Sequence, residues 1–162
     1  VIWFFRVSVL AYVVALVVAA FAYPEQVPVH FDATGAGDRF QPRGVAVLSM
    51  AGAGLGLAVL LALFIRVFAR GSLKHLNIPH KSWWTQPENS DRLRRMLAND
   101  LAWIGGCTMT LMTCMLAITI KVADDAKPSM GTFGWVTLFG FLIAVTGQVV
   151  FMYTSRYRPE NP

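Results

Sequence analysis

Residues 45–69 read VAVLSMAGAGLGLAVLLALFIRVFA, with no charged residue before Arg66. A helix of about 20 apolar residues crosses a hydrocarbon core roughly 30 Å thick, and this stretch is long enough to do so. Working outward, three more apolar runs of similar length occupy residues 7–23, 101–122 and 133–153. None shows the two-residue alternation of a membrane barrel, so the backbone can satisfy its own hydrogen bonds in lipid only as helix. The sequence therefore predicts an all-α membrane protein, a four-transmembrane-helix bundle. Its spans and connections use nearly all of the 162 residues as a single domain, leaving no room for a separate soluble catalytic domain. The chain opens on Val1 and not Met, so a start inside a longer gene product, or loss of the first residues, is expected. No small-residue cleavage site precedes Tyr23, and the first run reads as an uncleaved span and not as a signal peptide.

Charge gives the bundle a direction. The formal net charge is +5, and ten of the fourteen basic residues fall at one end: Arg6, Arg66, Arg70, Lys74, Lys81, Arg92, Arg94, Arg95, Arg156 and Arg158. Only Arg39, Arg43, Lys121 and Lys127 lie at the other. The positive-inside bias then predicts both termini and the 70–100 loop in the cytoplasm, with the 24–44 loop outside. Membrane lipids are the expected partners of the basic clusters, and nucleic acid is not.

The 24–44 loop reads as ordered. Tyr23 and Pro24 end the first span, Val27, Val29 and Phe31 alternate with Pro28 and His30 as in a brief extended stretch, and Asp32 to Asp38 supplies turn chemistry around Gly35. In an extended strand His30 and Asp32 project to one side, and the turn can return Asp38 toward them. A metal site formed by these residues is conceivable but is the least favoured reading, since one His is few for zinc and Asp32-x-Thr34-x-Ala36-x-Asp38 lacks the calcium-loop pattern. The loop has two further readings. It is a compact structural element in which His30 and Asp38 bond backbone groups while Arg39 or Arg43 pairs with Asp32 or with phosphate, or it recognises an external peptide, lipid or protein.

Across the second connection, Thr85-x-x-Glu88 has the form of a capping box, with Pro87 acceptable in a first turn, and predicts a helix starting near Gln86. Leu93, Met96, Leu97, Leu101 and Ile104 recur at helical spacing, so this helix should run unbroken into the third span and extend it into the cytoplasm. Trp83, Trp84 and Trp103 are expected near the headgroup level. Lys74, His75, His80 and Lys81 read as solvated or headgroup-facing, since no glycine-rich phosphate loop accompanies them.

Within the spans, Gly52 and Gly56 form a G-x-x-x-G pair, and Gly140 and Gly147 punctuate the fourth run. Such small residues let helix backbones approach, either inside the bundle or between proteins. Gln148 can hydrogen-bond across helices, and the span hydroxyls can bond to the preceding turn. Cys107 and Cys114, seven residues apart on one helix, read as packing residues. Neither a nucleophile with a base nor a cofactor motif emerges, so no enzyme activity and no cofactor are expected.

Tyr23-Pro24, Val27-Pro28-x-His30-Phe31, Gly35-x-x-Asp38-Arg39-Phe40 and Arg43 together resemble the domain-of-unknown-function family found in the N-terminal part of SdpI-type bacterial membrane proteins. The resemblance covers the first two spans and their loop. Arg43 stands where that family usually has Lys, and Gly37 where Pro is common. Asn77-Ile78-Pro79-His80-Lys81 through Trp83, Trp84, Pro87 and Glu88 is similar to a stretch that follows in many members. The resemblance implies a polytopic protein of the bacterial cytoplasmic membrane, in a few cases tied to immunity against a secreted toxin and to signal reception. Residues and resemblance together leave two expectations. One is a non-catalytic accessory or regulatory subunit docking laterally into a larger membrane complex, such as a lipid or solute transport system. The other is an SdpI-like receiver of an external toxin or ligand through the 24–44 loop.

Overall fold

The computed structural model describes residues 1–73 and 76–159. Four long helices carry the fold: α1 (Ile2–Ala22), α2 (Arg43–Arg70), α4 (Pro87–Val122) and α5 (Gly131–Phe151), with the four-residue α3 (Lys81–Trp84) ahead of α4. All four are long and apolar enough to cross a membrane, and the protein is a multi-pass membrane protein. At about 1.5 Å per residue, α1 and α5 are close to the thickness of one hydrocarbon core. With 36 residues, α4 spans about 54 Å and overruns that core. The start of α1 and the end of α5 lie at the end of the bundle opposite the α1–α2 connection.

That connection is a β-hairpin, β1 (Gln26–Phe31) paired antiparallel with β2 (Gly37–Pro42). It is more regular than the brief extended stretch read from the sequence. The register runs Val27 with Gln41, Pro28 with Phe40, His30 with Arg39 and Phe31 with Gly37, and it is irregular on both sides of His30. Such irregularity re-aims a side chain. The hairpin is tied to the α4–α5 connection, because Gly37 N–H donates to Pro128 O at 2.8 Å and Met130 N–H donates to Gly35 O at 2.9 Å.

Helix α4 is the hub, with α1, α2 and α5 packed on it. The first core joins Phe5, Tyr12, Ala19 and Tyr23 of α1 and its cap to Ala46 and Ala58 of α2 and Ala102, Met109 and Leu116 of α4. Aromatic residues on α1 meet small residues on its neighbours, which is what lets the helices close. A Cβ at Gly54 would overlap the Tyr12 ring, and one at Gly105 would lie 3.0 Å from Phe5 Cδ2. The glycines that close this bundle are therefore Gly54, Gly105 and Gly106, the last against Phe4. By contrast, Gly52, Gly56, Gly140 and Gly147 have nothing within 4 Å of a Cβ placed on them, so they make no comparably close contact within the chain.

The span hydroxyls behave as expected. Thr108, Thr110, Thr113 and Thr119 each donate to the carbonyl four residues back, and Ser8 Oγ sits 3.2 Å from Thr110 Oγ1 across the α1–α4 contact. Cys107 and Cys114 are free thiols on α4.

Candidate functional site

Two ends of the bundle carry polar constructions. At the hairpin end, the turn between the strands is organised by Asp32. Its Oδ1 accepts from Thr34 N–H at 2.7 Å, Thr34 Oγ1 at 2.6 Å and Ala36 N–H at 3.0 Å. These bonds, the Thr34 hydroxyl foremost, hold the Asp32 carboxyl below its ordinary pKa. Asp32 is thus occupied by its own turn and is not the arginine partner allowed for in the sequence reading. Gly35 sits at φ +83°, and a Cβ there would lie 2.9 Å from Met130 Cγ, so the turn needs glycine for conformation and for space.

His30 and Asp38 do come together. His30 Nδ1 lies 2.6 Å from Asp38 Oδ1, with both side chains about half exposed. The contact is side chain to side chain, where backbone partners had been expected. It leaves the imidazole Nε2 uncommitted to Asp38. Arg39, the cross-strand partner of His30, is exposed. Arg43 Nε donates to Pro24 O at 3.4 Å, and its backbone N–H donates to Glu25 O at 3.0 Å, closing the base of the hairpin. Pro28 and Tyr23 are buried beneath it, with Tyr23 Oη 3.4 Å from Met50 Sδ. Among the described residues no three His, Cys, Asp or Glu side chains are gathered to hold a metal ion.

Beneath the hairpin lies a cavity of about 330 Å³ that reaches from His30 and Phe31 down to Tyr12. Four methionines, Met50, Met112, Met115 and Met130, contribute to its wall. None of these was singled out from the sequence. They come from three separate parts of the chain, and no spacing rule joins them. Tyr12 Oη, at its floor, donates to Met50 O at 2.6 Å.

The opposite end is organised by Asp100. This carboxylate is 3% exposed. It accepts from Gln148 Nε2 at 3.1 Å, Arg156 Nε at 2.8 Å and Tyr157 Oη at 2.9 Å. Gln148 thus makes the cross-helix bond expected of it. After α5 the chain widens into a π-helical turn, Met152–Arg156, which delivers Arg156 and Tyr157 back onto α4. Burial, followed by the Asp100 charge, pushes the Tyr157 phenol well above its ordinary pKa, so it remains a proton donor here.

A second core forms around this cluster from Leu73, Trp84, Leu93, Leu97 and Tyr157. Trp84 is 1% exposed, and its Nε1–H donates to Tyr157 O at 2.9 Å. It is an interior anchor and not a headgroup residue. Trp83 stands edge-on to it, with ring centroids 4.6 Å apart. Helix α4 starts at Pro87 with Glu88 in its first turn, as read, but the capping box does not form. Gln86 is the N-cap, and Thr85 instead donates its hydroxyl to Lys81 O to close α3. Pro79 and His80 form the turn into α3, with His80 at φ +54°, and Asn77 O accepts from Tyr153 Oη at 3.1 Å. Arg94 Nη1 donates to Gly71 O. The reading of Lys74 and His75 falls outside the described residues.

The profile of a family described as a domain of unknown function (DUF1648) matches residues 7–55. The match takes in most of α1, the whole hairpin and the first turns of α2, and so includes Tyr12, His30, Asp38 and Met50. The methionines of α4 and the Asp100 cluster lie outside it. No curated protein and no solved structure matches the chain.

Proposed function

We propose that this protein is a non-catalytic accessory or regulatory subunit that docks laterally into a larger complex of the bacterial cytoplasmic membrane, such as a lipid or solute transport system. The observation that supports this reading is the bareness of its small-residue faces. Gly52 and Gly56 on α2 and Gly140 and Gly147 on α5 have nothing within 4 Å of a Cβ placed on them, while other glycines close the chain's own contacts. Among the helices, α5 packs on α4 alone, and large apolar residues such as Phe133, Val136, Phe139 and Ile143 are exposed on it. Close helix approach over small residues is a main source of association in lipid, where the hydrophobic effect no longer separates helix from solvent. The basic-rich end carrying both termini faces the cytoplasm in this reading.

Purification from the native membrane in several mild detergents, followed by mass spectrometry, tests it. A stoichiometric membrane partner that is lost on Gly52→Val or Gly140→Val, with chain abundance unchanged, is the expected result. Recovery of the chain alone in every detergent overturns it.

A second reading, reception of an external toxin or ligand through residues 24–44, is supported by the hairpin's fixed attachment and its half-exposed His30–Asp38 pair. Replacing His30 and Asp38 should then abolish protection or signalling without lowering membrane abundance. Parallel loss of abundance would assign the pair a structural role.

A further inference from the structure

The cavity under the hairpin has a shape, a depth and a chemistry that neither reading uses. Its floor residue, Tyr12, lies ten residues before the end of α1 at Ala22, about 15 Å below the hairpin end at 1.5 Å per residue. On α4 the wall begins at Met112, ten residues before Val122, and so reaches a similar depth. The cavity therefore runs from the aqueous boundary to about the middle of a hydrocarbon core roughly 30 Å thick, which is the depth of one leaflet.

Water is a poor occupant of this space. The Tyr12 hydroxyl already donates to Met50 O, Thr119 Oγ1 to Met115 O, and His30 Nδ1 is committed to Asp38. A buried water needs about three polar partners, and most of the polar groups lining the wall are spent on the protein itself. The remaining wall is dominated by thioethers, which are unbranched and polarizable and adapt to flexible apolar ligands. At about 330 Å³ the space lies at the small end of the range for ligand pockets, roughly 300–1,000 Å³.

Polar groups not already spent within the protein lie at the upper end. There His30 is exposed and its Nε2 is not used by Asp38. Its cross-strand partner Arg39 is exposed and makes no ion pair among the described residues. Asp32 accepts from its own turn and Asp38 bonds His30, so neither nearby carboxylate is paired with Arg39.

We propose that this cavity is a lipid site: it takes one acyl chain of a phospholipid from the leaflet on the hairpin side, with the headgroup phosphate held by the Arg39 guanidinium beside His30 on the hairpin edge. An apolar peptide segment would have to bring unsatisfied backbone amides down to the level of Tyr12, where no free partners await them. A hydrocarbon chain carries no such groups. The site is separate from the lateral glycine faces and independent of the subunit reading, and it shares His30 with the second reading.

The test uses the intact chain in nanodiscs containing a phosphatidylglycerol probe with a diazirine near the end of one acyl chain, and maps adducts by peptide mass spectrometry after irradiation. Adducts on Met112 and Met115 should saturate at a low mole fraction of probe. Adducts on the exposed α5 residues Leu142 and Ile143 should rise in proportion to it. Unlabelled phosphatidylglycerol should compete the methionine adducts at least threefold better than phosphatidylcholine, and Arg39→Gln should remove that preference while leaving the Leu142 and Ile143 adducts unchanged. Methionine labelling that rises in proportion to the probe, as at Ile143, is contact with bulk lipid and overturns the proposal. Labelling by an apolar peptide carrying the same diazirine, with none from the lipid probe, would assign the cavity to a peptide and overturns it equally.

Discussion

The Tyr157 hydroxyl donates a 2.9 Å hydrogen bond to the buried carboxylate of Asp100, 57 residues earlier in the chain. This bond closes the segment after α5 onto α4. Gln148 and Arg156 complete the coordination of the carboxylate, so a single acid holds side chains from α5, from the π-helical turn and from the residue after it. Removing such an acceptor leaves several donors unpaired at once, which costs more than the net value of any one bond.

Asp100→Ala is accordingly expected to destabilise the protein by about 2 kcal/mol, the partial exposure of Arg156 moderating the loss. Asp100→Asn, which keeps the shape and part of the acceptor capacity, should cost less. Reversible unfolding in mixed micelles would measure both, and equal effects from the two variants would contradict the arrangement.

Trp84→Phe retains the ring packing against Leu93 and Tyr157 but removes the Nε1–H donor to Tyr157 O. The expected cost is about 1–2 kcal/mol. It should be felt locally, as amide exchange about tenfold faster over residues 152–158 with little change in α1 and α2. Hydrogen-exchange mass spectrometry resolves the two regions.

Gly54→Val and Gly52→Val introduce the same side chain two residues apart on α2. Only the first meets the Tyr12 ring, whose hydroxyl donates to Met50 O. Overpacking there should cost about 2 kcal/mol more than at Gly52, where intrinsic helix propensity is the main term. Thermal unfolding of the two purified variants in the same detergent compares them directly.

The hairpin turn should resist acid further than an ordinary aspartate would allow. Asp32 has a depressed pKa in the folded turn, so its contribution to turn stability is present above the unfolded value and is lost as pH falls through the lower folded value. A carboxyl-carbon NMR titration should place Asp32 below its ordinary value of 3.8, with the Thr34 and Ala36 amide shifts following the same curve. A titration at or above that value would show that the turn is not held by this carboxylate.

How legible each element was depends on the range of the physics that makes it. The four spans follow from transfer free energy summed over some twenty consecutive residues, so composition alone exposes them. The start of α4 at Pro87 and its continuity into the membrane follow from local chain chemistry and helical spacing. The proximity of His30 and Asp38 was also legible, because a turn of a few residues joins them. The capping box at Thr85 was misleading, since the same hydroxyl satisfies the α3 terminus just before it. Trp84 misled for another reason: a tryptophan at a membrane boundary suits the headgroup layer and a small core equally, and only the position of Tyr157 decides between them.

By itself the sequence determined that this is a four-span helical membrane protein with an ordered, turn-rich loop between its first two spans, because hydropathy and turn chemistry act through neighbours in the chain. The tertiary structure alone decided which glycines close the bundle and which stay bare, that Asp100 is an interior acceptor, and that four methionines from distant segments line one cavity beneath His30. Those outcomes depend on how α1, α2 and α5 are rotated about α4. In lipid, apolar residues are equally comfortable inward and outward, so hydrophobic pattern does not fix that rotation. Shape does, with Tyr12 over Gly54 and Phe5 over Gly105, together with the few hydrogen bonds that have no partner outside the protein.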